Sequence, residues 1–286
     1  VRRYLLFVVA AALLVVAAAC GSTDAGVQVG ADDSVPSEAS QDGLPSDLAA
    51  TDSTVAPVRQ PSGGVILAGD SIAGEVAPAM AEALADQPAP FSFVVQPNLA
   101  GYAALAPEWE ARIAESDPSI VVVLVGTWER IVVDPAQPDW QQRYVDEVIA
   151  PWVQMLTANG TQVVFAAYPP LADNADLPGS GGLNDVWASL PAQIPGVTFV
   201  DAGGILRGPD GGFSLTLPFP GVGEVPVRQS DGRHLCPDGV MLVADKILVH
   251  LQQLQPTIVP RDGWQRAGWR ADPANFEHPE LCPGSF

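Results

Sequence analysis

Gly64-Val65-Ile66-Leu67-Ala68-Gly69-Asp70-Ser71-Ile72 is the stretch whose reading decides the fold. Val65–Ala68 is a short, wholly apolar run, as expected of a strand buried on both faces. Gly69 permits a tight turn, and Ile72 to Leu84 then continues with the helical spread of Ala, Val, Met and Leu. Ser71 thus stands where a strand ends and a helix begins. A nucleophile suits that position, because the helix N-terminus favours developing negative charge. An ordinary helix cap suits it equally, since Asp and Ser are the preferred N-cap residues.

The same alternation continues along the chain. Phe91–Val95 reads as a second strand and Trp109–Glu115 as part of a helix. Ile120–Val125 is the most apolar strand. Trp140–Ala158 is a long amphipathic helix stopped by Asn159-Gly160. Thr161–Ala167 and Val197–Val200 are further strands, and Asp238–Gln253 is the closing helix. Apolar strands alternating with helices predict an α/β fold with a parallel sheet covered on both faces. In such sheets ligands bind beyond the carboxyl ends of the strands.

A serine nucleophile needs a base, and the base needs an acceptor to orient it. Ser230-Asp231-Gly232-Arg233-His234-Leu235 directly precedes the last helix and supplies both within one turn. The chain has three histidines. His250 fits a packing position in the last helix, and His278 lies in a Pro-rich tail. His234 alone sits beside a carboxylate in a Gly-containing loop. A metal cluster of Asp231, His234, Cys236 and Asp238 is set aside, because zinc sites rarely use that spacing. No metal and no cofactor is expected.

Gly69-Asp70-Ser71 near the start of the domain and Asp231-x-x-His234 before its last helix together resemble the SGNH branch of the GDSL hydrolase superfamily. The resemblance covers roughly residues 65–251. It implies a flavodoxin-like three-layer αβα sandwich with a parallel sheet of about five strands. It also implies catalytic roles for Ser71, Asp231 and His234, and an oxyanion hole made by the N–H groups of Ser71 and Gly101. Gly101, in Asn98-Leu99-Ala100-Gly101, follows the second strand, where the family has a glycine; a plain turn glycine is the alternative. The third block departs from the family. Where GxND is usual, the chain reads Gly126-Thr127-Trp128-Glu129, with Trp128 in place of the asparagine that donates to the oxyanion. Losing one such donor costs roughly 3 kcal/mol in the transition state. Thr127 and Trp128 are therefore candidate pocket residues. The departure is similar to SGNH-like domains attached to membrane acyltransferases. Glu129-Arg130 reads as a buried ion pair or a substrate clamp.

The ends point to export. Arg2-Arg3 before the apolar run Leu5–Ala19 fits a secretory signal, and the run is short for a membrane span. Ala17-Ala18-Ala19-Cys20 resembles a bacterial lipobox, which implies cleavage before Cys20 and a lipid on its sulfur. The expected organisation is a lipoprotein signal over 1–19, a disordered tether over 20–61 rich in Ser, Ala, Asp, Gly and Pro, a hydrolase domain over 62–255 and a packed tail over 256–286. With Cys20 lipidated, Cys236 and Cys282 remain, and in an oxidising compartment they most simply form a disulfide rather than two free thiols. The loop of about 46 residues would contribute roughly 4 kcal/mol at best. Trp264 and Trp269, with Arg261, Arg266 and Arg270, either pin the tail to the domain or contact sugar. The formal charge of −20 opposes nucleic-acid binding.

These readings converge on an exported protein on the extracytoplasmic face of the cell membrane. It would be a serine esterase acting on a small acyl ester of an envelope glycan or glycolipid. One alternative is an O-acyltransferase using the same residues. Another is a non-catalytic binding or assembly lipoprotein on a degenerate fold.

Overall fold

The computed structural model describes residues 63–129, 133–134, 136–172 and 180–282. The expected signal, Cys20 and the tether lie outside the described residues, as does Arg130. Five strands form one parallel sheet: β1 (Gly64–Gly69), β2 (Phe91–Val95), β3 (Pro118–Leu124), β4 (Gln162–Ala166) and β5 (Val197–Val200). Their order is β2-β1-β3-β4-β5. This is the flavodoxin-like order, and its switch point lies between β1 and β3. The sequence-based expectation of an α/β sandwich with a parallel sheet of about five strands is met.

Alternation along each strand divides the core. Val65, Leu67, Ile120, Val122, Leu124 and Val164 face one layer, formed by α1 (Ser71–Ala83) and α6 (Pro237–Leu254). Ile66, Ala68, Val121, Val123, Val163 and Phe165 face the other. There they meet α2 (Tyr102–Ser116), α3 (Trp140–Tyr144), α4 (Ala150–Thr157) and α5 (Ser180–Gln193). Since side chains alternate between faces, a strand buried twice reads as an unbroken apolar run. A π-helical turn, Val145–Ile149, joins α3 to α4, so the expected long helix is continuous but locally widened. Among the described residues no helix is long and apolar enough to cross a membrane.

Two elements go beyond the sequence reading. The helix α5 packs Leu183, Val186, Trp187 and Leu190 at helical spacing, but Gly181-Gly182 and Pro191 mask its ends. A small antiparallel hairpin pairs β6 (Thr216–Phe219) with β7 (Gly223–Pro226) beyond β5. The tail wraps back as short 3₁₀ turns. Trp264, Trp269 and Phe276 enter the core layer of α1 and α6, so the two tryptophans pin the tail rather than present a sugar-binding face. Cys236 and Cys282 are bonded to each other, which joins the start of α6 to the end of the tail.

Candidate active site

The turn after β1 is shaped by close packing. A Cβ on Gly69 would lie 2.1 Å from the carbonyl oxygen of Leu124, so only glycine lets β1 and β3 end side by side. Asp70 is buried beneath this junction. Its Oδ1 accepts the N–H of Ile72 at 3.1 Å, and its Oδ2 accepts those of Gly126 and Thr127 at 3.3 and 3.2 Å. Burial pushes its pKa up to about 6 against the lowering effect of these amides. Asp70, not Ser71, caps α1. Ser71 is the first helical residue, with its side chain free for chemistry.

Ser71 Oγ lies 2.9 Å from His234 Nε2, and His234 Nδ1 lies 2.5 Å from Asp231 Oδ2. Asp231 Oδ1 also accepts the N–H groups of Arg233 and His234, at 2.9 and 3.1 Å. Partial burial opposes the charge on Asp231, but these hydrogen bonds and His234 win and hold its pKa below the ordinary carboxylate value. An ionised acceptor on Nδ1 fixes the tautomer in which Nε2 can take a proton. Gly232 adopts φ +75°, and a Cβ there would strike Ala172, so the loop turns only with glycine at that point.

Behind this relay stands Glu75, one helical turn past Ser71 and 2% exposed. Its Oε2 accepts the N–H of Leu235 at 2.8 Å. Its Oε1 accepts Gln229 Nε2 at 2.9 Å and the N–H of Glu277 at 3.1 Å. One carboxyl group therefore joins the helix that Ser71 begins, the Asp231–His234 loop and the tail. Burial raises its pKa to about 8, against these amides and nearby Arg228. Arg228 is itself buried, with Nη2 donating to Pro170 O at 2.8 Å and its guanidinium over the ring of Phe213. Burial lowers its pKa to about 10, so it stays cationic. Neither residue stood out in the sequence. A signal for Glu75 was present: it is a lone carboxylate on the apolar stripe of Ile72, Val76, Ala79 and Met80.

The loops after β2 and β3 show how the other candidate residues are held. Thr127 gives its N–H to Asp70, and its Oγ1 shares a hydrogen bond of 2.5 Å with Tyr168 Oη, so it braces the turn. Glu129 is fully buried, accepting the N–H of Leu99 at 2.6 Å and the hydroxyl of Tyr144. Burial raises its pKa to about 7. It is a strut, not a substrate clamp. The N–H of Gly101 is held by Asn98 Oδ1 at 2.6 Å, so it reaches an oxyanion only by releasing that bond. Trp128 is 47% exposed and outside the core. Cys236, being in a disulfide, is not a metal ligand.

A family model described as "Protein of unknown function (DUF459)" matches residues 64–250, more than half of the chain. No curated protein matches the sequence. Among solved structures, the chain is similar to a gut microbial diltiazem-metabolizing enzyme at 15% identity and a TM-score of 0.41. That alignment covers 68% of this chain and 48% of the other, so the chain spans about half the length of that structure.

Proposed function

The chain belongs to the DUF459 family and has an SGNH-like hydrolase fold; from that premise we propose that it is a serine esterase acting on a small acyl ester. The observation that carries the reading is the unbroken relay from Ser71 Oγ through His234 to Asp231. Ser71 Oγ attacks the ester carbonyl carbon while His234 Nε2 takes its proton, and Asp231 holds the imidazole and balances its charge. The oxyanion is met by the N–H of Ser71 at the first position of α1, aided by the helix dipole, with Gly101 as a second donor once Asn98 yields. Collapse expels the alcohol, which takes the proton from His234. Water, deprotonated by His234, then attacks the acyl-enzyme and frees the acid. No cofactor enters these steps.

Turnover of an activated small ester tests this. Ser71→Ala and His234→Ala should each lower kcat on the order of 10⁴-fold or more, and the double variant should be little worse than either. Substantial turnover in Ser71→Ala puts the nucleophile elsewhere.

Trp128 favours a second reading, O-acyl transfer. An aromatic face exposed just beyond β3 suits stacking of a sugar acceptor in place of water. Donor consumption with and without a glycan acceptor separates the two. The lipobox-like Ala17-Ala18-Ala19-Cys20 supports an exported protein anchored by lipid on the extracytoplasmic face, where an envelope glycan or glycolipid ester is within reach. Cys20→Ala should then leave the membrane fraction; a wild-type protein already soluble after export would remove the anchor.

A further inference from the structure

The tail brings a second imidazole to the relay. The rings of His278 and His234 meet edge to face, with centroids 5.8 Å apart. One ligating atom each from Asp231, His234 and His278 lies within 4.8 Å of the others. A histidine on a loose tail would roam, but the backbone that carries this one is held. The N–H of Glu277 is bonded to Glu75, the N–H of Ser230 reaches Leu281 O at 3.3 Å, and Cys282 is bonded to Cys236, two residues past His234. Glu280 Oε1 stands 3.5 Å from His278 Nδ1. A carboxylate beside one ring nitrogen is the arrangement that orients the other nitrogen as a metal ligand.

We propose that Asp231, His234 and His278 form an inhibitory site for a borderline-soft divalent cation, zinc being the best match. Two imidazoles and a carboxylate are a zinc ligand set, with water completing a tetrahedron. At zinc bond lengths, ligand atoms stand roughly 3.4 Å apart, so the widest gap must close somewhat. The His278 side chain is 49% exposed and has room to swing. The bound ion takes a ring nitrogen of His234 or the carboxylate that orients it. The base is thereby withdrawn from Ser71, and chelation returns it. Exposure of Asp231 and His278 to solvent gives the ion an open approach.

The inhibitory consequence rests on the esterase reading, whereas the binding itself does not. Titration of zinc chloride into the full-length Ser71→Ala protein, followed by calorimetry, reads binding without turnover. The expected result is one zinc per chain, with affinity reduced at least tenfold when His278→Ala is added, since even indirect support of a ligand is worth about 10–100-fold. In the Ser71-containing protein, zinc should inhibit ester hydrolysis reversibly with EDTA. The His278→Ala variant should keep its basal rate and need at least about tenfold more zinc. Equal titrations with and without His278 overturn the site. Hydrolysis without specific zinc binding overturns this inference and leaves the esterase; zinc binding without any hydrolysis does the reverse.

Discussion

The two strands flanking the switch point end very differently. After β1, and in the loop before α6, a chain of polar groups leads to one hydroxyl: Ser71 to His234, His234 to Asp231, and Glu75 behind them. After β3, the groups that the resembled GDSL pattern would aim at a substrate serve as scaffolding. The amides of Gly126 and Thr127 serve Asp70, the Thr127 hydroxyl serves Tyr168, and Glu129 holds the Leu99 amide. Among residues 126–129, Trp128 is the one left exposed to solvent. On the proposed reading, the half that would make the nucleophile keeps the GDSL pattern, and the half that would stabilise charge departs from it.

The largest expected stability effect tests whether the first half is braced as a unit. Glu75→Ala leaves the Leu235 and Glu277 amides without their buried acceptor and the Gln229 amide with only the Leu235 carbonyl. At about 1–3 kcal/mol for each orphaned donor, a loss of roughly 3–5 kcal/mol is expected in urea unfolding. Glu75→Gln, which keeps one acceptor oxygen, should lose less. A loss below about 1 kcal/mol for Glu75→Ala would show that the two ends of the relay do not depend on this brace.

Both halves also contain buried carboxyls, and these set a pH dependence. Asp70, Glu75 and Glu129 have folded-state pKa values of about 6, 8 and 7, raised by burial above their ordinary values of 3.8, 4.5 and 4.5. The folded chain therefore binds more protons than the unfolded one across this window, and stability must fall as pH rises. The melting temperature should be highest near pH 5, decline to about pH 8, and flatten above it. Glu129→Gln should make the slope shallower up to about pH 7 and leave the part above it. A melting temperature that rises from pH 5 to 8 would contradict the burial described for all three.

The disulfide belongs to the first half, because it joins the tail to the residue two past His234. Replacing both Cys236 and Cys282 by Ala should cost roughly 2–4 kcal/mol. Intact mass before and after reduction, with urea unfolding of each form, checks both the bond and its contribution.

The smallest stability effect is expected at Trp128. Its half-exposed ring leaves no core cavity when removed, so Trp128→Asn should shift stability by less than about 1 kcal/mol. An Asn there restores the side-chain donor of the resembled GxND pattern. Hydrolysis of a small ester should hold or rise while any transfer to a sugar acceptor falls. A large drop in melting temperature with an unchanged transfer-to-hydrolysis ratio would reject a pocket role.

The sequence made the first half legible and the second only partly so. Strand, Gly69, Asp70, Ser71 and the Asp231-x-x-His234 spacing are local patterns, each carried by a few consecutive residues. The sheet was equally plain, because a strand buried on both faces writes itself as an apolar run, as in Ile120–Leu124. What stayed hidden depends on contacts distant in sequence. Glu75 meets Leu235 across 160 residues and Glu277 across 202. Thr127 looks like a free hydroxyl until Tyr168 is placed over it, and His278 looks like a tail residue until the disulfide draws it in. Gly101 matches the family by position, but its engagement with Asn98 depends on the turn it makes.

The central claim is that Ser71 is an activated nucleophile, and covalent trapping tests it most directly. A fluorophosphonate reacts with a serine whose proton has a nearby base and whose developing charge is met by donors. After treatment of the folded full-length protein, peptide mass spectrometry should find one phosphonylated serine, Ser71. His234→Ala should slow the labelling strongly, and Ser71→Ala should abolish it. An adduct on another residue, or a folded protein that takes no label at all, would contradict the account.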